Sequence, residues 1–131
     1  MSTPALIEVV DDDEDVRRMM VMVLESHGFK VRTHNGGISY LKAPRASAPR
    51  VMLLDVRMPD MSGIELQIRL RETGDDIPVI FMSGESLPHE TLAAQRSDAI
   101  AFLSKPFHTT QLLQAIEAGL QAQGQSSSQT S

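Results

Sequence analysis

The stretch "LLDVRMPDMSG", residues 53–63, joins an apolar run to a loop of turn-forming residues. The apolar run 50–55 ends in Asp55, and Pro59 and Gly63 lie in the loop that follows it. A carboxylate is costly to bury unless it is paired with a cation or binds a metal. The position of Asp55 at the end of a buried strand therefore indicates a functional group whose partners come from elsewhere in the chain.

On both sides of residues 53–63, apolar runs that suit strands alternate with segments of helical period. Strands are predicted over residues 6–10, 29–34, 50–55, 77–83 and 99–104. Helices are predicted over 13–28, a short stretch within 35–49, 62–73, 88–97 and 109–123. Continuous apolar strands separated by helices are typical of a parallel sheet covered on both faces. The sequence therefore predicts one doubly wound α/β domain over residues 1–123, followed by a disordered polar tail over 124–131.

Composition excludes several classes of function. The chain has 131 residues and a formal net charge of -5 without a Lys/Arg-rich run, which argues against direct nucleic-acid binding. The absence of cysteine excludes disulfides, thiolate metal sites and thiol catalysis. The first residues lack the basic start of a signal peptide, and no apolar run is long enough to span a membrane. We therefore expect a cytoplasmic protein that does not bind a membrane.

Polar side chains follow four of the predicted strands, and the carboxyl ends of parallel strands meet at one edge of the sheet. In chain order these residues are Asp11 and Asp12, Asp55, Ser83, and Lys105. Gathered carboxylates suit Mg²⁺, which prefers oxygen ligands and accepts phosphate as a further ligand. A metal beside a lysine and a hydroxyl is suited to stabilising a phosphoryl group in transfer, and one carboxylate could itself accept that group.

Four segments together resemble the receiver domain of bacterial two-component response regulators, the chemotaxis-regulator-like family. They are "VVDDDEDVRR" (9–18), "LLDVRMPDMSG" (53–63), "VIFMSGE" (79–85) and "FLSKPF" (102–107), in the family's order and spacing. The resemblance covers about residues 5–122 and implies a flavodoxin-like sheet of strand order 2-1-3-4-5 with five helices. It implies a phosphoacceptor switch rather than a conventional enzyme. Its expected partners are a histidine kinase or phosphotransfer protein and a downstream protein target.

The resemblance assigns a role to each acidic residue at this edge. Asp55 matches the phosphoacceptor. Asp11 and Asp12 match the acidic pair that holds Mg²⁺ together with Asp55, and Asp12 would be the direct ligand of the two. The backbone carbonyl of Arg57 matches the remaining protein ligand of the metal.

The resemblance also implies a switch. Ser83 matches the hydroxyl that moves to a phosphoryl oxygen, and Lys105 matches the amine that pairs with that group. Phe102 matches the aromatic switch residue, although plain core packing explains it equally well. The conformational change is expected at the face formed by the fourth helix, fifth strand and fifth helix, through which such receivers also form homodimers. Residues 95–102 depart there from the small Ala-Gly-Ala-like turn of the family.

One expectation concerns residues beside this site. Arg57 lies two residues after Asp55, and Glu85 lies two residues after Ser83, at positions that tune dephosphorylation in the family. An Arg57–Glu85 pair is therefore expected to shield the phosphoryl group.

The four histidines show no metal-ligand spacing and are predicted to be surface or loop residues. They are His27, His34, His89 and His108.

Three alternatives remain beside a stand-alone phosphoacceptor switch. An aspartyl phosphohydrolase needs a second acid two residues after its nucleophile, and Arg57 occupies that position. A receiver fold that binds its partner without phosphorylation is disfavoured because the full set of site residues is present. The chain could also be the receiver part of a longer regulator or a hybrid kinase, since the polar segment 124–131 is equally suited to an interdomain linker.

Overall fold

The sheet has the architecture that the sequence predicts. The computed structural model describes residues 5–47, 49–84 and 88–129, and within them five strands form one sheet in the order β2-β1-β3-β4-β5. The strands are β1 (Leu6–Val10), β2 (Lys30–His34), β3 (Arg50–Asp55), β4 (Val79–Ser83) and β5 (Ala101–Ser104). Every neighbouring pair is parallel. The predicted fold class and strand order are therefore confirmed.

Helices cover both faces of this sheet. They are α1 (Glu14–Ser26), α2 (Gly37–Lys42), α3 (Gly63–Glu72), α4 (Pro88–Arg96) and α5 (Thr109–Gln129). One hydrophobic core joins the sheet to α1 and α5, through residues such as Leu24 and Ile116. The other joins it to α2, α3 and α4, through residues such as Tyr40, Leu66 and Ala94. Among the helices of the described ranges, none is long and apolar enough to cross a membrane.

The central strand β3 shows why the predicted strands are continuous apolar runs. Val51 and Leu53 belong to the core on the α1 and α5 side, whereas Met52 and Leu54 belong to the core on the opposite side. Because side chains alternate between the two faces of a strand, a sheet covered on both faces needs apolar residues at every position. Asp55 ends this run and is the last residue of the strand.

The loop after β3 returns close to the strand before α3 begins. Gly63 is the first residue of α3, and its N–H donates to the carbonyl of Val56 at 2.8 Å. A Cβ at this position would lie 2.2 Å from the backbone oxygen of Asp55, so only glycine fits. Ser62 caps α3, since its hydroxyl accepts a hydrogen bond from the Glu65 N–H at 3.0 Å.

Two expectations differ from the structure. His27 and His108 are exposed as predicted, but His34 is buried and the prediction is wrong for it; the side chain of His89 lies outside the described part. Helix α5 runs to Gln129, so the backbone of 124–129 continues the helix into the segment predicted as a disordered tail. Residues 130–131 lie outside the described ranges, and the domain boundary at 123 stays a prediction.

Candidate phosphoacceptor site

Three predicted carboxylates meet at the carboxyl edge of the sheet. Asp11 follows β1, Asp12 follows Asp11, and Asp55 ends β3, which is the neighbour of β1. Each can offer one oxygen to a common ion, since these atoms lie within 4.8 Å of one another. Asp11 and Asp55 are buried, whereas Asp12 is exposed, so the group opens to solvent on one side.

Lys105 brings a positive charge to these acids from the other side of the sheet edge. Its Nζ donates to Asp11 Oδ2 at 3.0 Å and lies 3.8 Å from Asp55 Oδ1. The Lys105 N–H donates to the carbonyl of Ser83 at 2.8 Å, which ties the end of β5 to the end of β4. The Lys105–Pro106 peptide bond is cis.

The surroundings of Asp55 disfavour the ionised form of its carboxylate. Burial, followed by the charge of Asp11, raises the pKa of Asp55 from 3.8 to about 7; Asp12 also raises it, and Lys105 opposes the shift. The backbone amide of Arg57 lowers this pKa by a smaller amount. A buried acid whose surroundings favour its protonated form is a candidate for a functional group. A bound cation would favour the ionised form instead.

The donor set fits the predicted Mg²⁺. Carboxylate oxygens are the ligands this hard cation prefers, and it usually keeps several waters beside one or two protein carboxylates. The exposed side of the site, at Asp12, leaves room for such waters. Asp11, Asp12 and Asp55 would hold the ion, and the carbonyl of Arg57 remains a predicted fourth ligand.

Local hydrogen bonds orient Asp11 toward this cluster. Its Oδ1 accepts from the Asp13 N–H at 2.9 Å, and its backbone oxygen accepts from Arg17 Nη1 at 2.7 Å. The Asp11 N–H donates to the carbonyl of His34 at 3.1 Å. Asp13 caps α1 by accepting from the Asp15 N–H at 2.9 Å, so it stabilises the helix end.

The predicted switch residues lie on the strands β4 and β5. Ser83 is buried at the end of β4, one residue beyond Met82, which pairs with Asp55 in the sheet register. Phe102, on β5, pairs with Phe81 on β4. It is half-buried and packs against the core on the α2, α3 and α4 side. The structure thus brings Ser83 and Lys105 to one edge, and it gives Phe102 a core contact.

Two neighbours of the site escape the sequence analysis. Asp60 accepts from the Ile38 N–H at 2.9 Å and from the Met61 N–H at 2.8 Å, which fastens the loop after Asp55 to the start of α2. Glu90, on α4, pairs with the Arg57 guanidinium at 3.0 Å. The predicted partner of Arg57, Glu85, lies outside the described residues. No local pattern signals either contact, because each joins segments far apart in sequence.

The chain matches a family model over residues 7–117, the response regulator receiver domain. Among curated proteins it is 36% identical over 116 residues to the response regulator protein TodT of Pseudomonas putida, covering 88% of this chain and 51% of that protein. It is 34% identical over 115 residues to the transcriptional regulatory protein FixJ of Rhizobium meliloti, covering 88% and 56%. The chain therefore spans about half the length of the curated relatives that it matches.

Solved structures show the same likeness. The crystal structure of FixJ-N superposes with a TM-score of 0.83 at 32% identity, covering 92% of this chain and 96% of that chain. The response regulator StyR superposes with a TM-score of 0.82 at 37% identity, covering 98% of this chain and 66% of that chain.

Proposed function

The chain belongs to the response regulator receiver domain family, and on that premise we propose that it is a phosphoacceptor switch with Asp55 as the acceptor. One observation carries the proposal. A buried carboxylate whose pKa is raised to about 7 lies with two further acids, all within 4.8 Å, and 3.8 Å from a lysine ammonium. This arrangement favours the arrival of positive charge and of a group that the lysine can bind.

In the proposed reaction, an oxygen of the Asp55 carboxylate attacks the phosphorus of a phosphohistidine. The new O–P bond forms as the N–P bond breaks, and the imidazole leaves with the bonding electron pair and takes up a proton. Bound Mg²⁺ would supply charge neutralisation for the phosphoryl oxygens. We expect Lys105, whose Nζ lies 3.8 Å from Asp55 Oδ1, to bind one of these oxygens.

The proposed switch uses Ser83 and Lys105 together. Their backbones are joined by the 2.8 Å hydrogen bond from the Lys105 N–H to the Ser83 carbonyl. We expect the phosphoryl group to draw both side chains toward Asp55 and so to alter the face formed by α4, β5 and α5, with Phe102 packed beneath it. That face would then control a downstream protein.

The proposed input partner is a histidine kinase or a phosphotransfer protein, and the chain acts as a switch rather than as a conventional enzyme. The relative FixJ is a transcriptional regulatory protein, and the match covers 56% of its length. A stand-alone receiver, a homodimer and a cytoplasmic location stay predictions.

The test is the intact mass of the chain after incubation with acetyl phosphate and Mg²⁺. We expect wild type to gain one phosphoryl group that hydroxylamine removes, because hydroxylamine cleaves acyl phosphates. Asp55→Asn should lose this gain completely. Asp76→Asn is the matched control, because Asp76 is an exposed aspartate in the loop before β4.

A gain that persists in Asp55→Asn would contradict the assignment of the acceptor. No gain in wild type, with Mg²⁺ binding still measurable, would contradict the phosphoacceptor function itself.

A further inference from the structure

The Arg57–Glu90 pair joins the phosphoacceptor loop to the first turn of α4. Glu90 Oε1 lies 3.0 Å from Arg57 Nη2 and accepts from Arg57 Nε at 3.1 Å, so the carboxylate receives two donors of one guanidinium. The Glu90 side chain is 18% exposed and that of Arg57 is 49% exposed. The pair is therefore partly exposed to solvent, and the Arg57 guanidinium has room to change its partner.

Arg57 is attached to the acceptor through its own backbone. Arg57 lies two residues after Asp55, and its backbone amide lowers the pKa of the Asp55 carboxyl, so the start of the Arg57 side chain lies near the group that would carry the phosphate. An arginine side chain is long and flexible, so a change of rotamer can redirect its guanidinium from one neighbouring group to another. Guanidinium binds phosphate oxygens through two parallel hydrogen bonds, as it binds carboxylate.

The two ends of α4 are held in different ways. Beyond its C-terminus, Asp98 accepts from Gln67 at 2.9 Å and from Arg71 at 2.9 Å, which anchors this end to α3. Toward the N-terminus, Glu90 joins the helix to the acceptor loop through its ion pair with Arg57. Among the α4 side chains that the structure describes, Ala94 is the buried one, so little apolar burial holds the helix in place.

We propose that Glu90 competes with the phosphoryl group on Asp55 for the Arg57 guanidinium, and that this exchange releases the first turn of α4. The inference rests on the proposed function. In the resting protein the Arg57–Glu90 ion pair holds the first turn of α4 against the acceptor loop. After phosphorylation the Arg57 guanidinium binds the phosphate and the ion pair breaks. The N-terminal end of α4 then moves, while its C-terminal end stays attached to α3 through Asp98.

The expected effect is modest because the pair is partly exposed. Ion pairs of this kind change an equilibrium by about two- to fivefold. Glu90→Gln keeps the size of the side chain but removes its charge, so it should raise the affinity for beryllofluoride, a phosphoryl mimic that binds with Mg²⁺, by about two- to fivefold. It should also speed amide hydrogen exchange in α4 of the resting protein.

The matched control is Glu65→Gln. Glu65 pairs with Arg69 on α3, and both side chains are 51% exposed, so this variant makes the same change of charge in another exposed ion pair. It should leave both the beryllofluoride affinity and the α4 exchange unchanged.

A double-mutant cycle separates competition from a general loss of negative charge. Arg57→Gln should speed amide hydrogen exchange in α4 as Glu90→Gln does. It should not raise the affinity for beryllofluoride, because the substitution removes the guanidinium for which Glu90 and the phosphoryl group compete. In the Arg57→Gln background, adding Glu90→Gln should change the affinity no further. A simple electrostatic effect of Glu90 would instead persist without Arg57.

The proposal is overturned if Glu90→Gln leaves both quantities at the wild-type value, or if its effect on affinity survives in the Arg57→Gln background. Failure of the proposed function looks different. In that case wild type itself binds no beryllofluoride and gains no phosphoryl mass, whatever residue stands at position 90. The proposed competition for the Arg57 guanidinium is then contradicted as well.

Discussion

Asp55 and Glu8 are buried carboxylates on the neighbouring central strands β3 and β1, and their surroundings act on them in opposite directions. Asp55 lies at the edge of the sheet, where burial and two nearby acids raise its pKa to about 7. Glu8 lies in the middle of β1 and is completely buried, yet hydrogen bonds from His34 and Arg32 outweigh the effect of burial and lower its pKa.

The partners of Glu8 come from β2. Arg32 pairs with Glu8 across the two strands and donates through Nε at 2.7 Å and through Nη2 to the second oxygen. His34 Nε2 lies 2.9 Å from Glu8 Oε1, and the His34 ring meets Tyr40 edge-on with centroids 4.9 Å apart. Each carboxylate oxygen of Glu8 therefore has a partner within the protein.

This difference separates a structural charge from a functional one. Glu8 is balanced by groups of the same chain, so it needs nothing from outside. The acids around Asp55 outnumber the lysine that contacts them, and a bound cation would relieve this excess of negative charge. Strongly perturbed groups of the second kind mark sites at which a fold gives up stability for function.

The largest expected effect comes from removing the charge of Glu8, the carboxylate that partners within the protein balance. Glu8→Gln should lower the free energy of unfolding at pH 7 by about 3 to 5 kcal/mol, because removing one partner of a buried pair leaves the other uncompensated. Since the folded pKa of Glu8 is depressed, its contribution is present above 4.5 and is lost as pH falls below that value. Urea denaturation from pH 3 to pH 8 measures both.

The exposed Glu65→Gln variant serves again as the control, and its loss should stay below about 1 kcal/mol. A Glu8→Gln protein as stable as this control at pH 7 would show that Glu8 is not a structural charge.

A smaller effect of opposite sign is expected at Asp55. Its folded pKa of about 7 lies above the ordinary 3.8, so the stabilisation that Asp55 provides is complete below 3.8 and is lost as pH rises toward 7. Without metal, Asp55→Asn should therefore be more stable than wild type at pH 8 by about 2 to 4 kcal/mol, with the gap closing near pH 4. Thermal or urea denaturation over this range provides the measurement.

Adding Mg²⁺ to the same denaturation experiment tests whether Asp55 is a metal ligand. It should stabilise wild type at pH 8 and have little effect on Asp55→Asn, because the substitution removes a charged ligand. Parallel pH profiles of the two proteins, with and without Mg²⁺, would mean that Asp55 is balanced in the way that Glu8 is.

The smallest effect is expected at Lys105. Lys105→Met removes the ammonium that lies 3.0 Å from Asp11 and 3.8 Å from Asp55, which increases the excess of negative charge. We expect a loss of about 1 kcal/mol in unfolding free energy at pH 8 without metal, since the lysine is partly exposed. Saturating Mg²⁺ should narrow the loss by supplying positive charge in its place.

Lys30→Met tests a surface lysine at the start of β2 and should change stability little, with or without Mg²⁺. A Lys105→Met protein more stable than wild type at pH 8 would contradict the charge balance described for the site.

Much of the fold is predictable because its signals are local. The apolar runs predict β1 and β3 with the bounds that the structure has, and Ser62 is recognisable as a cap from its place before a helical period. The acids that form the site are also predictable, since they directly follow apolar runs and parallel strands end at one edge. The boundary of α2 is less clear in sequence because turn-forming residues surround it.

Contacts between distant segments are not predictable in this way. Glu8 is only an unexplained polar residue in an apolar run until β2 pairs with β1 and places Arg32 beside it. His34 gives no sign of burial in sequence, since a strand at the edge of a sheet reads as half exposed. The sequence around Arg57 does not indicate its partner, and Glu90 becomes that partner through the position of α4.

The sequence by itself determined the order of the elements, the two-sided burial of the sheet and the identity of the acids at its edge, because periodicity and strand ends are properties of neighbouring residues. The tertiary structure decided which buried carboxylate is balanced and which is not. That balance depends on burial and on charges tens of residues away: the partners of Glu8 lie 24 and 26 residues along the chain, and Lys105 lies 94 residues from Asp11.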